Sequence, residues 1–89
     1  MELIIRYHSL PEGMDLDRMK AEVAEVLEDD GWLTGSGRTA AGGYLELELE
    51  DERANPKYGI LAVKSYLRRA AFPPDTEIEL AGVSAGIYQ

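Results

Sequence analysis

From Tyr44 to Glu50 the chain alternates without a break, with Leu45, Leu47 and Leu49 on one phase and Tyr44, Glu46, Glu48 and Glu50 on the other. Successive side chains of a strand point to opposite faces, so one face of this segment is dry and the other wet. A helix would scatter the same leucines around its circumference. The reading is a central antiparallel strand that covers an apolar core and shows a file of carboxylates to solvent. Glu2 to His8 repeats the pattern, with Leu3, Ile5 and Tyr7 on one face and Glu2, Ile4, Arg6 and His8 on the wetter one. Asp75 to Leu80 does so again, Ile78 and Leu80 inward and Glu77 and Glu79 outward.

Two other stretches have helical spacing. After the Leu10-Pro11-Glu12-Gly13 loop, Asp15 offers an N-cap and Asp17 a negative charge at the favourable end of the helix dipole. Leu16, Met19, Val23, Val26 and Leu27 then recur at steps that build one buried stripe, running to about Asp30 with Gly31 as the stop. Asn55 and Pro56 open a second helix, where the missing N–H of proline costs nothing. Its inward stripe is Ile60, Val63, Leu67 and Ala70, and Phe72-Pro73-Pro74 ends it. Between the first helix and the leucine strand, Trp32 to Gly37 reads as a short edge strand weakened by glycine. Arg38 to Gly43 reads as a flexible hairpin tip.

The order β-α-β-β-α-β predicts an α+β ferredoxin-like sandwich: a four-stranded antiparallel sheet of order 4-1-3-2 with both helices on one face. Residues 1–82 form this domain, and 83–89 read as a small-residue tail whose Ile87 and Tyr88 dock on the domain or on a partner. A chain of 89 residues has no apolar surface to spare for a second core.

Composition narrows the partners. Seventeen acidic residues against nine basic ones give a formal charge of −8, which repels phosphate backbones and anionic headgroups and favours basic proteins. Nucleic acid and membrane are therefore not expected as partners, although acidity serving only solubility is the plain alternative. Cysteine is absent, which removes disulfides and thiolate chemistry and fits a cytoplasmic location. The first residues, Met1-Glu2-Leu3-Ile4-Ile5, carry no basic leader, and no apolar run has the length of a bilayer span.

On the wet face of such a sheet Glu46, Glu48, Glu77, Glu79, Tyr44 and Arg6 come together, a surface suited to a cationic partner. A flat face spreads carboxylates apart instead of converging them, so neither a metal nor a cofactor is expected. Gly35, Gly37 and Arg38 form a loop candidate for an anion, but they lack the spacing of a phosphate loop and lead into a strand. His8 is the one histidine, with only generic neighbours for acid–base work, and no catalytic residue is assigned. Trp32 reads as a core or edge anchor.

Three segments, Gly31-Trp32-Leu33-Thr34-Gly35-Ser36-Gly37, Tyr44 to Asp51 and Phe72-Pro73-Pro74-Asp75-Thr76-Glu77-Ile78, resemble a pattern of small acidic bacterial proteins of uncharacterised families, similar in size and charge to toxin-neutralising immunity proteins. The resemblance covers about the last two-thirds of the chain and implies a stand-alone binding protein, with no catalytic residue carried over. The expectation is a non-enzymatic protein-binding module, an immunity-type inhibitor acting as monomer or homodimer on a basic protein. The alternative is a small-molecule regulatory module resembling ACT domains, which share this topology and bind amino acids at loops and dimer interfaces.

Overall fold

The computed structural model describes residues 2–27, 31–40, 42–49, 56–80 and 82–87. The Asn55 cap, the helix end at Asp30, Glu50 and Tyr88 lie outside the described residues. The elements in chain order are β1 (Glu2–Tyr7), α1 (Leu16–Leu27), β2 (Gly31–Thr39), β3 (Gly42–Leu49), α2 (Pro56–Arg69), β4 (Glu77–Leu80) and β5 (Val83–Gly86). The strands form one antiparallel sheet in the order β2-β3-β1-β4-β5. The four expected strands keep their relative places, with β1 and β3 inside. The strand count is corrected to five, because residues 83–86, expected as a tail, pair with β4.

The alternating segments behave as their pattern requires. Leu3, Ile5 and Tyr7 of β1, Leu45, Leu47 and Leu49 of β3 and Ile78 of β4 all enter the core. There they meet Met19, Val23 and Leu27 of α1 and Val63, Tyr66 and Leu67 of α2 in a single cluster, so both helices cover the same sheet face. Cross-strand register stacks Leu3 beside Leu47 on one side and Leu80 on the other. Burying one such leucine contributes roughly 1.5–3 kcal/mol, and this layer is what holds the sheet against the helices.

The helix ends follow local chemistry. Asp15 accepts the Arg18 backbone N–H on Oδ1 at 2.7 Å, the expected N-cap. At the C-terminal end of α2 the Phe72 N–H donates to the Leu67 carbonyl at 3.0 Å and the Ala71 N–H to the Arg68 carbonyl at 3.1 Å. This is a Schellman closure in which Ala71, at φ 62°, takes the left-handed place that glycine usually fills. Phe72 folds back into the core, only 1% exposed.

β5 escapes a reading by alternation because Val83-Ser84-Ala85-Gly86 has little apolar contrast. What makes it a strand is its pairing with β4 from Leu80↔Val83 onward, with Gly82 at φ +84° just before it. Ile87 follows directly and is fully buried, and the Arg68 guanidinium donates from Nε to its carbonyl. That end of the described chain is thus docked on the domain itself.

The β2–β3 hairpin also differs from expectation. Pairing continues through Arg38↔Gly43 and Thr39↔Gly42, so most of the expected flexible tip is paired sheet. Gly31, expected as a helix stop, opens β2 instead and pairs with Leu49.

Candidate docking surface

The sheet face away from the helices is built by the even phase of the strands. In its middle row Ile4 of β1 lies between Glu46 of β3 and Glu79 of β4, and Glu46 continues to Gly35 of β2. In the next row Arg6 lies between Tyr44 and Glu77, and Tyr44 continues to Gly37. At the other margin Glu2 faces Glu48, which faces Trp32. The structure therefore brings Glu46, Glu48, Glu77, Glu79, Tyr44 and Arg6 onto one surface, in register.

The charge balance of this face is one-sided. Among the described residues five carboxylates, from Glu2, Glu46, Glu48, Glu77 and Glu79, face one guanidinium. Arg6 Nη2 lies 3.5 Å from Glu79 Oε2, and with side chains 49% and 25% exposed the pair is a surface salt bridge. Such a pair contributes at most about 1 kcal/mol. Glu2 and Glu48 stand directly opposite, where Cβ atoms are about 5 Å apart. Two like charges at that separation repel by about 0.8 kcal/mol in water, and by more when a partner excludes solvent without supplying a cation. An ammonium or guanidinium group relieves this and gains charge-assisted hydrogen bonds. The face is not purely polar: Ile4 is half-buried at its centre and Trp32 is 51% exposed at its edge. Its carboxylates stay in separate rows, and among the described residues no three acidic or imidazole side chains converge as ligands for one ion.

Of the two places expected for Trp32, core or edge, the structure gives the edge, on the outermost strand β2. The pairing shifts between Leu33 and Gly35, leaving Thr34 as an extra residue in β2. Before this bulge Trp32 shares the open face; after it Gly35 and Gly37 do. Alternation read straight through cannot show that change of phase. The loop candidate is corrected by the same geometry: Gly35 and Gly37 are strand residues beneath Glu46 and Tyr44, and Arg38 falls on the opposite phase.

Two further features border the face. At one end of the sheet Arg6, Tyr7, His8, Thr39, Asp75 and Glu77 line a cleft of about 250 Å³. Burial pushes the Tyr7 phenol up from its ordinary value, and the Arg38 guanidinium pulls it partly back. On the helix side, Glu22 of α1 accepts from Arg18 Nε on one oxygen at 3.1 Å and from the Tyr66 hydroxyl on the other at 3.4 Å. Burial, the Glu22 charge and that hydrogen bond push the Tyr66 phenol from 10.0 to about 12, against the opposing pull of Arg18. This network ties α1 to α2 and lies away from the carboxylate face.

Compared with protein-family models, with curated proteins and with solved structures, the chain matches none. The reading of this surface rests on its own chemistry. Among the described residues no helix is long and apolar enough to cross a membrane.

Proposed function

We propose that this protein is a cytoplasmic, non-enzymatic protein-binding module, a ferredoxin-like sandwich extended by one strand, whose open sheet face docks a basic protein in the manner of an immunity-type inhibitor. The observation that supports this is the face itself: carboxylates in register around Ile4 and Trp32. A charged rim with an apolar centre and an aromatic anchor is how protein-binding surfaces are commonly composed. The carboxylates steer and orient a cationic partner, and the apolar groups supply area to bury.

The experiment compares wild type with a variant carrying Glu46→Gln, Glu48→Gln, Glu77→Gln and Glu79→Gln in pull-downs from the source cells. The fourfold variant is expected to keep the wild-type fold and lose the captured basic protein, with association slowing as salt rises for the wild type alone. Capture of the same proteins by both, with the same salt dependence, refutes the reading. The cleft lined by Arg6, His8, Asp75 and Glu77 favours a second reading, a regulatory module resembling ACT domains, because it offers both charge signs to a small zwitterion. Calorimetric titration with amino acids separates the two.

A further inference from the structure

β2 is one outer edge of the sheet, and Gly35 and Gly37 lie along it. Among the described residues no strand pairs with its far side, so every second residue of the run turns a backbone N–H and C=O outward. Edges are usually blunted by charge, proline or a bulge. Here the bulge sits at Thr34 and the one charged residue of the strand is Arg38; Gly35-Ser36-Gly37 between them has neither charge nor proline. The opposite edge, β5, is only four residues long.

The two sides of this run differ in chemistry. On the open face a Cβ at Gly35 would lie 3.1 Å from Glu46 Oε2, so the Glu46 carboxylate leans over bare backbone toward the edge. The Tyr44 ring lies over Gly37 in the same way. On the helix side Leu33, Ser36 and Leu45 line a pocket of about 210 Å³ together with Lys20 of α1. Arg38 shares that side, one step beyond Ser36 in the alternation. Neither Lys20 nor Arg38 enters an ion pair among the described residues. One side of the edge thus favours cations, and the other favours apolar groups and repels cations.

We propose that the partner docks by adding a strand to β2: an extended segment reading basic-apolar-basic, with its cations beside Gly35 and Gly37 and its apolar residue beside Ser36. The proposal rests on the acidic face being a docking surface and names how its basic partner is held. A residue beside Gly35 stands two strand spacings, roughly 10 Å, from Glu46. With no glycine side chain between them, a lysine or arginine reaches that carboxylate and forms a charge-assisted hydrogen bond. The cation beside Gly37 meets the Tyr44 ring. The apolar side chain enters the pocket. A slip of one residue would set both cations against Lys20 and Arg38 and the apolar group beside Glu46, so charge fixes the register. Backbone pairing supplies the affinity, and the two unlike sides select the partner.

The probe is a blocked peptide of threonine, isoleucine, lysine, valine, lysine, isoleucine and threonine, titrated to about 5 mM because so short a strand binds weakly. Amide shifts of the protein are expected to move at residues 35–38, Lys20 and Leu45 and to stay put at β4 and β5. An isomer with adjacent lysines, which puts a cation on each side, is expected to bind about fivefold more weakly. N-methylation of one alternate set of peptide nitrogens is expected to abolish binding and of the other set to spare it, because only every second residue faces β2. Glu46→Gln is expected to weaken binding about two- to fivefold. No binding, binding that tolerates methylation of both sets, equal binding of the isomer or of the Glu46→Gln variant, or shifts centred on Ile4 and Glu79 overturns the proposal. Any of these, with the fourfold Gln variant still losing a captured basic protein, overturns strand addition and leaves the docking surface standing. Pairing as described, with captured proteins unchanged in the fourfold variant, upholds the edge as a strand-binding site and refutes the wider face as the docking surface.

Discussion

Two glycines of the β2–β3 hairpin lie under tyrosine rings, and the structure assigns them different costs of substitution. An added Cβ at Gly43 would sit against the Tyr7 hydroxyl, 2.6 Å from Tyr7 Cζ and 3.0 Å from the Gly37 carbonyl. An added Cβ at Gly37 would meet Tyr44 at 2.7 Å from the hydroxyl and 2.8 Å from two ring carbons. The clashes are similar, but the rings are not equally free. Tyr7 is 7% exposed in the core cluster, whereas Tyr44 is half-buried on the open sheet face and can swing toward solvent. Gly43→Ala should therefore behave as overpacking of a core and cost about 1–3 kcal/mol. Gly37→Ala should cost less than about 1 kcal/mol, the part lost when Tyr44 gives up its contact with the backbone. Neither position has a positive φ, and the entropy that alanine removes from the unfolded chain applies to both, so it drops out of the difference. Urea denaturation measures that difference, provided the slope of stability against urea is the same for both variants. Equal midpoints, or a larger loss for Gly37→Ala, would show that Tyr7 is not held over Gly43 as described.

Two further outcomes follow from local geometry. Ala71→Gly relieves a left-handed residue and should raise stability by about 1 kcal/mol, read as a higher urea midpoint. An unchanged midpoint would mean that the Schellman closure stores no strain. Tyr66 holds its proton in the folded protein up to about pH 12, against 10.0 for the free phenol. Between these values the native state binds more protons than the unfolded chain, so its contribution is full below pH 10 and is lost as pH rises toward 12. Tyr66→Phe should flatten that alkaline loss, and equal losses in both proteins, measured by urea midpoints across the window, would contradict the assignment.

Much of the fold was legible because alternation and helical spacing are local signals. Leu45, Leu47 and Leu49 declare a face by themselves, and Met19, Val23 and Leu27 declare a stripe. Tyr66 was harder to place, since it joins the core through a polar tip that needs Glu22 from another helix. The open face was legible wherever strands alternate cleanly, which is why Glu46, Glu77, Arg6 and Tyr44 fell together. Trp32 was not, because one extra residue in β2 reverses the phase and only pairing with β3 reveals it. β5 was hidden for another reason: its four small residues carry no amphipathic signal and become a strand only by pairing with β4.

The placement of β1 has a consequence for how the chain can reach its final form. Residues 2–7 lie between β3 and β4, and β4 lies seventy residues and more along the chain. The apolar run Leu3-Ile4-Ile5 therefore leaves the ribosome long before the residues that flank it on its second side. Neither α1 nor the β2–β3 hairpin can complete the core in the interval, because the middle of the sheet still has one open edge. Loop-closure entropy must be spent before those distant pairings give anything back. Assembly is thus completed late, at the middle of the sheet, when β4 pairs with the edge that β1 has held open.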